Sequence, residues 1–134
     1  NYFPDLLAGR VQLTFTPIGA APPPVRADTI STLGVTGSSR AAVLPSVPAI
    51  KEFVPGYETY IWNGFGAPAG TDAQIIEKLN AAINDALVHT SIAGKLAAIG
   101  AEPVGMSPAE FGAFVADETE KWAKVIRAAN IKIE

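Results

Sequence analysis

The sequence predicts an α/β fold. Three observations carry the prediction. Short β-rich runs are separated by helix signals, in the order β-α-β, an irregular segment, then β-α-α-α. Two later helices open on capping-box patterns, Thr71 with Gln74 and Ser107 with Glu110. Apolar residues make up 49% and charged residues 17% of the 134 residues, which is enough apolar chain for a sizeable core and too little charge for a disordered one. The length corresponds to about one ordinary domain, and no internal repeat divides it.

Each element follows from local pattern. Residues 4–8 read as the last turns of a helix, with Gly9 placed as the left-handed residue that ends it. Residues 11–15 alternate apolar and polar and predict a strand. Pro22, Pro23 and Pro24 forbid a regular helix interior, because each lacks an N–H and clashes with the preceding turn; a helical turn is expected at residues 25–28. Residues 33–36 are a short apolar run bounded by Gly37, Ser38 and Ser39, which predicts a buried strand. Residues 37–57 contain Pro45, Pro48 and Pro55 and read as an ordered meander with one turn near residues 49–53. Residues 57–65, with Tyr57, Tyr60, Ile61, Trp62 and Phe65, form the strongest strand pattern in the chain.

The second half is helical by spacing. Behind the Thr71 cap, Ile75, Ile76, Leu79, Ile83, Ala86 and Leu87 recur at helical intervals. Ser91 is the expected cap of a shorter helix that Gly100 closes. Pro108 takes the favoured first position of the last helix. Its stripe is Phe111, Phe114, Val115, Trp122, Val125, Ile126 and Ala129, with Trp122 expected in the core.

Composition excludes several chemistries. With no Cys there is no disulfide, thiolate metal site or Cys nucleophile, and one His excludes a His-pair metal site. A net charge of −3 forces no basic surface and points away from nucleic acid. No run of 18 apolar residues is present to span a membrane. The chain opens on Asn1 without an initiator Met or leader pattern, which reads either as a mature terminus or as a start inside a larger protein.

Candidate sites are few. The turn formed by residues 67–71 joins a strand to a helix start, where backbone N–H groups can hold an anion; a plain connection is the simpler reading. His89 ends a helix with Asp85 four residues before it, and a favourable contact with the helix dipole explains it better than base catalysis. Asp117, Glu118 and Glu120 read as a solvated helix face, with Asp117 paired to Lys121 and Glu120 to Lys124. Two strand ends are more suggestive. In Trp62, Asn63 and Gly64, adjacent side chains point to opposite faces and Gly64 permits close approach of a ligand or another backbone. In Phe15, Thr16, Pro17 and Ile18, an aromatic wall with a hydroxyl suits a small polar ligand at the carboxyl end of a strand. Sheet packing remains the structural alternative for both. No catalytic residue, metal site or cofactor is expected.

Several segments in order resemble the substrate-binding proteins of tripartite tricarboxylate transporters, the Bug receptors. They are Pro4-Asp5-Leu6-Leu7-Ala8-Gly9-Arg10-Val11, Leu33-Gly34-Val35-Thr36, Leu44-Pro45-Ser46-Val47-Pro48 and Pro55-Gly56-Tyr57-Glu58. Then come Trp62-Asn63-Gly64-Phe65-Gly66-Ala67-Pro68-Ala69-Gly70-Thr71, Gly100-Ala101-Glu102-Pro103-Val104-Gly105 and Ser107-Pro108-Ala109-Glu110-Phe111.

The resemblance implies the carboxyl-terminal part of a type 2 periplasmic-binding-protein fold, two α/β domains that close over a ligand as a hinged clamp. Residues 1–36 would end domain 2, and residues 37–134 would supply the return crossover and the rest of domain 1. It implies a periplasmic receptor for a small organic carboxylate, with no catalysis, that delivers its solute to membrane transporter subunits. A ligand sensor for a signalling partner and a non-binding oligomeric fragment are the alternatives. Backbone amides, hydroxyls and water would hold the carboxylate, consistent with the lack of an Arg cluster. Thr16 stands where family members often carry an acidic or amide residue, and Gln12 where they often have an Asp, departures that bear on the ligand class. Sheets lacking strands would leave open edges, so self-association through them, or weak stability, is expected.

Overall fold

A computed structural model describes residues 2–20 and 30–132. The chain divides into two compact units, one from Asn1–Phe65 with Ala93–Glu102, the other from Gly66–Ile92 with Pro103–Glu134. The helical turn expected at residues 25–28 lies outside the described residues.

The first unit opens with helix α1, Phe3–Leu7, with Pro4 in its first turn. Gly9 takes φ +71° just past its end. The Gly9 N–H donates to the Leu6 carbonyl at 3.1 Å and the Arg10 N–H to the Asp5 carbonyl at 2.8 Å, so the last carbonyls of the helix are satisfied by the residues that leave it. A single 3-10 turn follows at Ile18–Ala20.

Among the described residues, the β structure of this unit is one parallel bridge, Val35 to Ala49. The Val35 N–H donates to the Pro48 carbonyl and the Ile50 N–H to the Val35 carbonyl, both at 2.9 Å. Successive residues of an extended chain aim their backbone groups to opposite sides. The Thr36 carbonyl accordingly faces away from this bridge and accepts the Thr59 N–H at 2.9 Å. Residues 34–36 thus run between residues 48–50 and residue 59. Gly34 lets the neighbours close in, since a Cβ there would stand 3.1 Å from Ile50 Cγ1.

Val35, Val47 and Ala49 form the core of this unit, with Ile18, Ala41 and Leu44 packed against it. The core is small. Burying a valine side chain contributes roughly 1.5–3 kcal/mol, while fixing each residue's backbone costs about 1–2 kcal/mol. These three side chains offset the ordering of only a few residues.

The second unit pairs helix α2, Ala73–Val88, with helix α4, Pro108–Ala128, which are in contact. Helix α3, Thr90–Ala98, lies between them in sequence, and from Ala93 onward it belongs to the first unit. Ile76, Asn80, Ile83, Asn84 and Leu87 are the half-buried face of α2, while Ile75 and Leu79 are exposed. On α4 the inward face is Phe111, Phe114, Val115 and Glu118. Helices α3 and α4 end as α1 does, with Gly100 at φ +72° and Asn130 at φ +51° in the left-handed position.

Several expectations are corrected. Strands were expected at residues 11–15, 33–36 and 57–65; among the described residues there is no ladder, only the Val35 bridge. A strand pattern supplies side chains but not partners, and Leu13, Phe15, Ile61 and Phe65 stand exposed. The cap of α2 is Asp72, whose carboxylate accepts the Gln74 N–H at 2.8 Å; the Thr71 hydroxyl instead donates to the Pro68 carbonyl. Helix α3 begins at Thr90, so Ser91 lies inside it. Trp122 is 39% exposed rather than core. Glu118 is 7% exposed rather than solvated, and it takes Lys121, the expected partner of Asp117. The Glu120–Lys124 pair forms at 2.7 Å, as expected from the spacing.

Candidate functional site

Both candidate segments fall in the first unit. Residues 15–18 are delivered by the chain leaving α1. Phe15 is 68% exposed and Thr16 is half-buried. Pro17 accepts the Ala20 N–H at 3.0 Å, which starts the 3-10 turn and swings Ile18 inward onto the Val35 cluster. Ile18 also abuts Gly100, where a Cβ would stand 2.9 Å from Ile18 Cγ2. The segment thus splits by role. Ile18 anchors it, while Phe15 stands exposed and Thr16 is half-buried between them. Among the described residues the Thr16 hydroxyl makes no hydrogen bond.

Residues 62–64 follow the Thr36–Thr59 contact that fixes where the segment leaves the core. All three are exposed. Among the described residues the Asn63 amide has no hydrogen-bond partner. No hydrogen bond among the described residues joins residues 15–18 to residues 62–64. The structure brings both segments to one unit, and the Thr16 hydroxyl and Asn63 amide are polar groups of the kind that can hold a small polar solute.

The other sequence candidates look different in three dimensions. The start of α2 is already occupied, because the Asp72 carboxylate sits on the N–H group an anion would need. His89 Nδ1 lies 2.9 Å from the Ser91 hydroxyl, and both groups are exposed on the helix surface. A Ser–His contact in open solvent has no enclosed donor pair to stabilise developing charge. Among the described residues no three His, Asp or Glu side chains converge as a metal site.

Three arrangements escaped sequence reading. Asn80 and Asn84 both donate to the Met106 carbonyl, at 2.8 and 3.1 Å, and Asn84 also donates to Asn80 Oδ1 at 3.2 Å. Their spacing of four residues on one helix face was visible, but an acceptor 22 residues on was not. The Glu118 carboxylate accepts the Trp122 indole N–H at 3.0 Å, with the Lys121 ammonium beside it. The third is a small apolar cavity of about 80 Å3 in the first unit, walled by Ala41, Ala42, Val43, Ala97, Gly100 and Ala101, with Glu102 at its edge.

Electrostatics in the first unit centre on Glu52. Its carboxyl is held down to about 2, first by the Arg40 side-chain hydrogen bond and then by the Ala49 N–H. The same carboxylate pushes Arg40 further up. In the second unit, the Ser107 backbone N–H and hydroxyl hold Glu110 below the usual carboxylate range.

Comparison with known proteins gives consistent matches. The model of the tripartite tricarboxylate transporter family receptors matches residues 2–131. A UPF0065 protein from the tcbD-tcbE intergenic region of Pseudomonas sp. is 36% identical over 124 residues, covering 91% of this chain and 37% of that protein. Protein BugT of Bordetella pertussis is 35% identical over 133 residues, covering 97% of this chain and 40% of that protein. A UPF0065 protein from the clcB-clcD intergenic region of Pseudomonas knackmussii is 31% identical over 124 residues, covering 91% of this chain and 73% of that protein. The chain spans about two fifths of the length of the first two relatives.

Proposed function

This chain belongs to the tripartite tricarboxylate transporter receptor family, and from that membership we propose that it is the carboxyl-terminal part of a periplasmic solute-binding receptor. The receptor captures a small organic carboxylate and hands it to membrane transporter subunits. In this reading residues 1–36 end the second domain of a type 2 binding-protein fold and residues 37–134 complete the first. The observation that carries the reading is the family match over residues 2–131. The exposed Phe15, with Thr16 and Asn63 unspent beside their segments, supports it locally.

The chemistry asked of these groups is modest. A carboxylate needs donors, and Thr16, Asn63 and exposed backbone N–H groups supply neutral ones. Phe15, Pro17, Trp62 and the Cα of Gly64 would form the apolar walls, with Ile18 holding the first segment in place. The membrane partner would meet the closed receptor, because closure around the ligand changes the presented surface. Apolar side chains such as Leu13, Ile61 and Phe65 would be covered by further receptor polypeptide, or by a second copy when this chain is alone.

Isothermal titration tests the reading directly. Citrate and succinate, titrated into this chain and into a polypeptide extended to the length of its relatives, should bind the longer form tightly and this chain weakly or not at all. Thr16→Val and Asn63→Leu should weaken binding to the longer form. Absence of binding to the longer form across di- and tricarboxylates, or ester or keto-acid turnover abolished by His89→Ala, would overturn it.

A further inference from the structure

We propose that Asn63-Gly64 is a site of spontaneous covalent modification, an asparagine that converts itself into aspartate or isoaspartate. The reaction needs a side-chain amide, an unobstructed backbone nitrogen on the next residue, and freedom for the two to meet. All three are present. Asn63 and Gly64 are exposed, within a run in which residues 60–70 are all exposed. Among the described residues neither the Asn63 amide nor the Gly64 N–H is engaged in a hydrogen bond. Gly64 has no Cβ to hinder the attack.

The step balances without a co-reactant other than water. The Gly64 amide nitrogen loses its proton and attacks Asn63 Cγ. The new N–Cγ bond forms as the Cγ–Nδ2 bond breaks, and Nδ2 leaves as ammonia with that proton. The product is a five-membered imide. Water adds to one of its two carbonyls. Breaking the bond from the Gly64 nitrogen to Cγ gives aspartate; breaking the bond to the Asn63 backbone carbon gives isoaspartate, with the main chain rerouted through Cβ and Cγ.

The other asparagines of the described residues provide an internal contrast. Asn80 and Asn84 spend their amide nitrogens on the Met106 carbonyl. Ala81, Asp85 and Ile131 follow Asn80, Asn84 and Asn130, and each carries a Cβ that crowds the approach.

A consequence rests on the carboxylate-receptor reading. The reaction replaces a neutral group that can donate and accept with an ionised one that only accepts. A carboxylate held near residue 63 would then meet a like charge. Ageing would switch the site against its own ligand.

Peptide mass mapping after incubation at mildly alkaline and mildly acidic pH is the test. The peptide containing residue 63 should gain the mass of one amide-to-acid conversion, faster at alkaline pH. The rate should exceed that at Asn80 by at least about tenfold, because Ala81 is crowded and the Asn80 amide is engaged. Gly64→Val should slow the conversion and Asn63→Gln should abolish it; both positions are exposed, so neither change disturbs the core. Equal rates at Asn63 and Asn80, or a rate unchanged by Gly64→Val, would overturn the proposal. Titration of citrate into fresh and aged samples of the extended receptor polypeptide separates the two ideas. If neither sample binds while conversion proceeds, the receptor reading fails and the modification site stands.

Discussion

The Arg40 guanidinium and the Glu52 carboxylate meet in a two-pronged ion pair, Nε to Oε1 at 2.8 Å and Nη2 to Oε2 at 2.7 Å. Glu52 Oε1 also accepts the Ala49 N–H at 2.8 Å, and Arg40 Nη1 donates to the Pro45 carbonyl at 3.4 Å. One arginine thus ties together both ends of the proline-bearing meander that carries Val47 and Ala49 into the core.

A pH dependence follows. The folded carboxyl of Glu52 lies near 2 against an ordinary 4.5. Its contribution to stability is fully present above about 4.5 and is lost as pH falls through the window down to about 2. The carboxyl resonance of Glu52 should titrate with a midpoint near 2 at low salt and move up as salt screens the pair. Glu52→Gln should remove this part of the acid sensitivity, read by denaturation at several pH values. A midpoint near 4.5 at low salt would contradict the pairing.

The Met106 clamp should be shared rather than duplicated. Asn80→Ala and Asn84→Ala each remove a half-buried donor to one carbonyl, at an expected cost of about 1 kcal/mol. Because both use the same acceptor and touch each other, the double variant should lose less than the two single losses added together. Denaturant unfolding of all three variants measures the coupling.

Gly9 and Gly100 offer a matched comparison. Both sit near φ +72° at helix ends. A Cβ at Gly9 meets nothing within 4 Å, whereas one at Gly100 would lie 2.9 Å from Ile18 Cγ2. Gly9→Ala should cost about 1 kcal/mol, the conformational penalty alone. Gly100→Ala should cost more and should perturb the signals of Ile18. Equal losses would place no packing at Gly100.

The start of α4 depends on Ser107 and Glu110. Ser107→Ala should destabilise by about 1 kcal/mol, with fraying confined to the first turn by hydrogen exchange. Glu110 is held below the usual carboxylate range, so the same turn should loosen as pH falls into and below that range. Fraying unchanged by acid would contradict the box.

The exposed apolar side chains predict self-association of the isolated chain. Light scattering should show a mass that rises with concentration. A monodisperse monomer with one cooperative unfolding transition would refute this.

Phe15, Thr16 and Asn63 stood out in the sequence as aromatic and polar groups of predicted strands; the structure leaves Phe15 and Asn63 exposed and Thr16 half-buried. The anchoring role of Ile18 was not legible there, because Gly100 and Val35 lie far along the chain. Thr71 misled because Asp72, one residue on, competes for the same helix start and wins with a charged acceptor.

The sequence by itself determined what depends on near neighbours. The glycine stop after α1, the Ser107–Glu110 box and the Glu120–Lys124 pair all lie within five residues, and each formed as the spacing dictates. Tertiary structure alone decided which β-rich runs found partners. Residues 57–65 had the strongest strand pattern, yet Val35, in a run of four, made the bridge. A strand is stabilised by hydrogen bonds to a distant segment, and the position of that segment is written nowhere in the strand itself. The same reason hid the Arg40–Glu52 tie and the two asparagines on Met106, each of which joins residues 12 or more apart.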